Sequence, residues 1–111
     1  MVILNSDQAP KAIGPYSQAI RAGNVIYTSG QIALDPATGA LVEGDFSAQV
    51  RRVFENLKAV LAAGEATFAN VTKATVYLTD LANFTTLNEI YASYFGDTKP
   101  ARTTVCRWAH R

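Results

Sequence analysis

The sequence predicts an α+β domain in which a mixed β-sheet carries two helices on one face. Three observations lead there. Short β-branched runs near the N-terminus are separated by turn residues, a long stretch with apolar positions every three or four residues follows, and the second half runs strand, helix, strand. At 111 residues, one domain over residues 1–111 with a single core is expected.

Residues 2–5 form a short apolar run that ends at the turn-prone Asn5, Ser6 and Asp7, which predicts a first edge strand. Residues 9–16 contain Pro10, Gly14 and Pro15, so regular structure gives way to a loop of defined shape that delivers Tyr16 to the next segment. A tyrosine so placed either packs with its hydroxyl tied down or serves a ligand. Residues 17–22 alternate as a half-exposed strand does, and Gly23-Asn24 is a hairpin turn. Residues 25–32 carry the strongest strand pattern, β-branched and aromatic as far as Ser29 and broken by Gly30. A glycine in such a run marks a bulge, or a place where a ligand or another backbone comes close. Asp35 to Gly39 read as a surface turn.

Asp45 or Gly44 opens the first helix, whose Phe46, Val50, Val53, Leu57 and Val60 make a stripe expected to be buried. Gln49, Arg52 and Glu55 are expected on a solvated face, and Gly64 stops the helix. Residues 71–79 alternate, with Ala74, Val76 and Leu78 toward the helices and Lys73, Thr75, Tyr77 and Thr79 on the other side. That second row is too aromatic and β-branched for water alone, so it is expected to meet another subunit. Asp80 caps a second helix that buries Leu81, Phe84, Leu87, Tyr91 and Tyr94 or Phe95, and Gly96 ends it. Asn88, beside that stripe, reads as a boundary residue bonded to a nearby loop. With one face of the sheet uncovered, a closed cyclic assembly is the simplest expectation.

Pro100 and the run Thr103-Thr104-Val105 place Arg102 at the start of a last strand. Two readings of Arg102 stand. It is a surface arginine, solvated or ion-paired, or it is a rigid planar fork for a carboxylate or phosphate.

Composition narrows the function classes. With 49% hydrophobic and 17% charged residues the chain is an ordinary folded globule. A net charge of +1, with basic residues scattered apart from Arg51-Arg52, carries no signature of nucleic acid. The single cysteine, Cys106, excludes an internal disulfide. Together with the lack of a signal-like N-terminus and of an apolar run of spanning length, it predicts a cytoplasmic protein away from membranes. The single histidine, His110, leaves no Cys/His cluster for zinc, and no metal is expected.

Six motifs occur in order between about Ala9 and Val105: residues 12–19, 28–32, 55–61, 73–80, 88–91 and 100–103. Together they resemble the reactive intermediate deaminase (Rid) family, close to its RidA-type branch. The resemblance implies a chorismate-mutase-like α+β fold, a homotrimer, and ligand sites in the clefts between subunits. It implies hydrolysis of 2-imino acids such as 2-iminobutanoate and 2-iminopropanoate to 2-oxo acids and ammonia, without a cofactor. Arg102 would grip the substrate carboxylate and act with Tyr16 in catalysis, while Ser29, Gly30 and Thr104 line the same cleft. Thr104 stands where close relatives often have a cysteine.

An imine carbon is already electrophilic, so such a site needs mostly positioning, with modest acid–base help. The family pattern continues past Val105 into a final strand bearing a glutamate held to position the attacking water. Here residues 106–111 lack strand alternation, and all nine acidic residues precede Arg102. The expectation is a domain without that strand and with weakened catalysis. Its alternative function is a small-carboxylate-binding or regulatory protein. Nearly balanced charge and aromatic residues at core spacings give no support to RNA contact.

Overall fold

The computed structural model describes residues 1–107, and the chain divides into two compact units, Met1–Thr67 and Phe68 onward. Both antiparallel and parallel strand pairing occur, so the α+β class expected from sequence is the one found. Of the tail read as residues 106–111 without strand character, Cys106 is in fact strand and pairs with Leu78, while residues 108–111, including His110, lie outside the described residues.

In the first unit, β1 (Val2–Leu4), β2 (Ala19–Ala22) and β3 (Val25–Thr28) form an antiparallel sheet in that order. Leu4 pairs with Ala19 and Ala22 with Val25 across the Gly23-Asn24 turn. β3 is shorter than the 25–32 run predicts. After Thr28 the Ser29 N–H still reaches the Gln18 carbonyl at 2.9 Å, and then the chain leaves the sheet. Gly30 is therefore not a strand bulge, and a Cβ built on it would meet nothing within 4 Å.

Helix α1 (Phe46–Ala63) starts at Asp45, whose side chain accepts the Ala48 N–H at 2.9 Å. Its buried residues are Val50, Phe54, Asn56, Val60 and Leu61, whereas Phe46, Val53 and Leu57 of the predicted stripe are only half-buried. The buried face is wider than one stripe because it serves two surfaces. Val60 packs with Leu4, Ala9 and Ala19, while Asn56 faces the backbone of residues 32–34. Arg52 is half-buried and bonded to Asn56, contrary to the solvated face expected for it.

The helix ends where predicted, at a glycine packed closely against β1 and β3. A Cβ on Gly64 would lie 2.6 Å from Ile26 Cδ1 and 2.9 Å from Leu4 Cδ1. Its carbonyl accepts from Arg21 Nη2 at 2.6 Å.

In the second unit, a 3-10 turn (Phe68–Asn70) leads to β4 (Lys73–Leu78), a 3-10 turn (Leu81–Asn83), α2 (Phe84–Phe95) and β5 (Ala101–Cys106). β4 and β5 pair in parallel, Lys73 with Ala101 through Leu78 with Cys106. The alternation holds: Leu78 is buried, Ala74 and Val76 are half-buried, and Lys73, Thr75 and Tyr77 are exposed. Asp80 caps the 3-10 turn through the Ala82 N–H, so Leu81 precedes the helix proper and is 64% exposed instead of buried. Ile90 joins Leu87 and Phe95 inside. Phe68 meets Tyr94 and Phe95 edge-on at 5.6 and 5.1 Å between ring centroids.

Asp45→Ala removes the acceptor at the start of α1 and is expected to lower unfolding free energy by about 1 kcal/mol, whereas Asp45→Asn retains it. Denaturant midpoints of the two variants check this.

Candidate functional site

Arg102 is the second residue of β5, and the parallel register pairs it with Ala74, as it pairs Thr104 with Val76. Side chains two apart on a strand share a face, so Arg102 and Thr104 lie on the side away from Lys73, Thr75 and Tyr77. The Arg102 side chain is half-buried. Its Nη1 donates to Asn88 Oδ1 at 2.8 Å, and its guanidinium carbon lies 4.8 Å from the Tyr91 ring centroid and 5.5 Å from that of Phe84. Two aromatic rings and one uncharged amide thus hold the charge, a cation–π arrangement that keeps the plane of the fork fixed. Among the described residues Arg102 has no carboxylate partner, so its positive charge is not neutralised there. Asn88 bonds this strand residue and not a loop, which corrects the reading from sequence.

Tyr91 and Arg102, with Phe95, Lys99 and Pro100, border a cleft of about 210 Å³. Burial pushes the Tyr91 phenol above its ordinary value, and the Arg102 charge draws it partly back down. The Thr104 Oγ1 is buried and has no hydrogen-bond partner among the described residues.

The other predicted residues sit in the first unit. Tyr16 and Gly30 border one cleft of about 200 Å³, together with Gln18, Gln31 and Ile32. Gly14 adopts φ +125°, in the region that favours glycine, and its carbonyl accepts the Tyr16 N–H at 2.9 Å, which turns the tyrosine outward to 54% exposure. Ser29 does not border this cleft, since its hydroxyl donates to the Ser17 carbonyl at 2.5 Å. The structure thus brings Tyr16 and Gly30 together in one unit. Arg102 and Thr104 belong to the other.

Sequence reasoning missed Gln18 and Asn56. Gln18 is buried, accepts the Ser6 N–H at 2.7 Å, and donates to the carbonyls of Pro10 at 2.8 Å, Ser6 at 3.1 Å and Ala9 at 3.4 Å. It holds the 6–10 loop, which brings Pro10 to the Tyr16 cleft. The signal for Asn56 was its spacing, one turn before Val60 and three residues after Val53, which puts an amide on the buried side.

No group of three or more His, Cys, Asp or Glu side chains gathers around a possible metal position among the described residues. No helix among them is long and apolar enough to cross a membrane.

The family model described as Endoribonuclease L-PSP matches residues 6–107. The chain belongs to this family, which takes in the Rid and RutC proteins. This Rid chain is 52% identical over 103 residues to a RutC family protein of Pyrococcus abyssi, covering 93% of this chain and 81% of the relative. It is 45% identical over 100 residues to the 2-iminobutanoate/2-iminopropanoate deaminase of Mus musculus, covering 90% and 74%. The crystal structure of RidA from an Antarctic Psychrobacter superposes with a TM-score of 0.93 at 43% identity, covering 99% of this chain and 89% of the other. The fold is the chorismate-mutase-like α+β class that the sequence motifs implied.

Alkaline spectrophotometric titration, read as the difference from a Tyr91→Phe variant, is expected to place the Tyr91 phenol above the usual value of about 10. Arg102→Gln should move it higher still, because the lost cation no longer favours the phenolate.

Proposed function

We propose that this Rid chain hydrolyses small 2-imino acids, 2-iminobutanoate and 2-iminopropanoate among them, to 2-oxo acids and ammonia. The site lies in clefts between copies of the chain in a homotrimer, in the cytoplasm and without a cofactor. The observation that carries this reading is Arg102, a cation fixed by Asn88, Tyr91 and Phe84 with no carboxylate partner among the described residues. The name of the mouse relative, 45% identical, supports the reaction.

In this reading the guanidinium holds the substrate carboxylate by paired charge-assisted hydrogen bonds. Water attacks the imine carbon, the new C–O bond forms as the C=N electron pair moves to nitrogen, and nitrogen takes up a proton. In the resulting carbinolamine the hydroxyl proton passes to nitrogen as the C–N bond breaks and the C=O bond forms, releasing ammonia and leaving the 2-oxo acid. Tyr16, exposed and next to Gly30, donates its hydroxyl proton in a hydrogen bond to the substrate nitrogen. The open space over Gly30 admits the reacting carbon close to the backbone. Ser29 contributes through its position before Gly30, its hydroxyl being taken by Ser17. Thr104 completes the Arg102 side, where its unpartnered hydroxyl can be satisfied by ligand or bound water.

A second reading has one observation in its favour. Among the described residues neither cleft is bordered by an aspartate or glutamate, so the lining of one chain supplies no carboxylate base for the attacking water. The alternative is saturable binding of 2-oxo acids without turnover.

A coupled assay with freshly generated 2-iminobutanoate tests the proposal. Arg102→Gln is expected to lower kcat/KM about a hundredfold, the loss of two charge-assisted hydrogen bonds of about 1.5 kcal/mol each. Arg102→Lys should recover little, since an ammonium cannot present the same fork. Unchanged turnover in Arg102→Gln overturns the clamp. Binding of 2-oxobutanoate by the unaltered chain without any turnover favours the second reading.

A further inference from the structure

Asn56 has 0% exposure, and each of its side-chain bonds is directional. Its Nδ2 donates to the Leu34 carbonyl at 2.9 Å and the Ile32 carbonyl at 3.4 Å, and its Oδ1 accepts from Arg52 Nε at 3.0 Å. Only one orientation of the amide satisfies all three, because the guanidinium has no acceptor and the carbonyls have no donor. The Ile32 carbonyl also accepts the Leu34 N–H at 2.8 Å, closing a three-residue turn around the buried Ala33. That turn begins two residues after Gly30. Ile32 and Leu34 border the same cleft as Tyr16 and Gly30.

We infer that Asn56, oriented by Arg52, is a positioning residue that sets the wall of the Tyr16 cleft running from Gly30 to Leu34. The inference rests on the imine-hydrolysis reading and adds to it residues that do not border the cleft. Buried carbonyls need donors, and a long helix supplies them from a more rigid platform than a loop could. The Arg52 charge polarises the amide and strengthens its N–H groups as donors, so the three groups act as a relay from helix to loop. A loop displaced by an ångström would misplace the substrate over Gly30, and errors of that size lower rates strongly.

The test compares the unaltered chain with Asn56→Asp and Arg52→Gln. The first keeps the side-chain shape and the Arg52 bond but turns an acceptor toward two carbonyls. The second keeps the donors and removes the cation that orients them. Three quantities are read: melting temperature, amide hydrogen exchange at Gln31 to Leu34 and in the β2–β3 hairpin, and kcat and KM for 2-iminobutanoate. In Asn56→Asp, Leu34 exchange is expected to quicken at least about tenfold while the hairpin keeps its protection, and kcat/KM to fall about tenfold. Arg52→Gln should move both quantities the same way by less. Equal loss of protection in loop and hairpin, or loop exchange that does not change, assigns Asn56 to the core alone and overturns the inference. Should Asn56→Asp fail to fold, Arg52→Gln decides by the same two readouts. If the unaltered chain turns over no imine, the imine reading fails separately and loop exchange alone judges the positioning role.

Discussion

A backbone that leaves regular structure can turn inward only where something donates to its carbonyls, and in the first unit of this chain two carboxamides meet that constraint. Gln18, just before β2, holds the carbonyls of Ser6, Ala9 and Pro10. Asn56, on α1, holds those of Ile32 and Leu34. Both loops reach one cleft, so its outline follows from where two amide groups sit, one on α1 and one just before β2. The small apolar cluster of Leu4, Ala9, Ala19 and Val60 lies under the same elements and keeps them in register.

The second unit solves a different problem, the placement of a charge. An arginine on a β-strand would ordinarily find an acidic partner or extend into water. Here Arg102 rests against Tyr91 and Phe84 and bonds the neutral Asn88. Its orientation is settled while its charge is left to be matched from elsewhere. The cost is modest because the group is half-buried, and the faces of the rings repay part of the lost hydration.

Much of the fold is legible in the sequence because its signals are local. The Gly23-Asn24 turn, the Asp45 cap and the alternation from Lys73 to Leu78 each depend on neighbours a few residues away. What is not legible is non-local. Leu81 has the spacing of a buried helix residue, yet a capped 3-10 turn intervenes and leaves it exposed. Asn88 finds its acceptor's role 14 residues away on β5, and Asn56 reaches carbonyls 22 and 24 residues back. Of the candidate site, motif resemblance picked out Tyr16, Gly30 and Arg102. Only coordinates could show that Ser29 spends its hydroxyl on Ser17 and that Gly30 fronts open space.

The two ends of α1 are secured unequally. At its C-terminal end the capping Gly64 meets Leu4 and Ile26 across a gap that would not take a methyl group without a shift, and the Arg21 guanidinium sits on the Gly64 carbonyl, where the negative end of the helix dipole favours it. The N-terminal end is held at Asp45 by a solvent-exposed bond. The Asp45 end is therefore the one from which this helix is expected to fray first, ahead of the turn that carries Asn56.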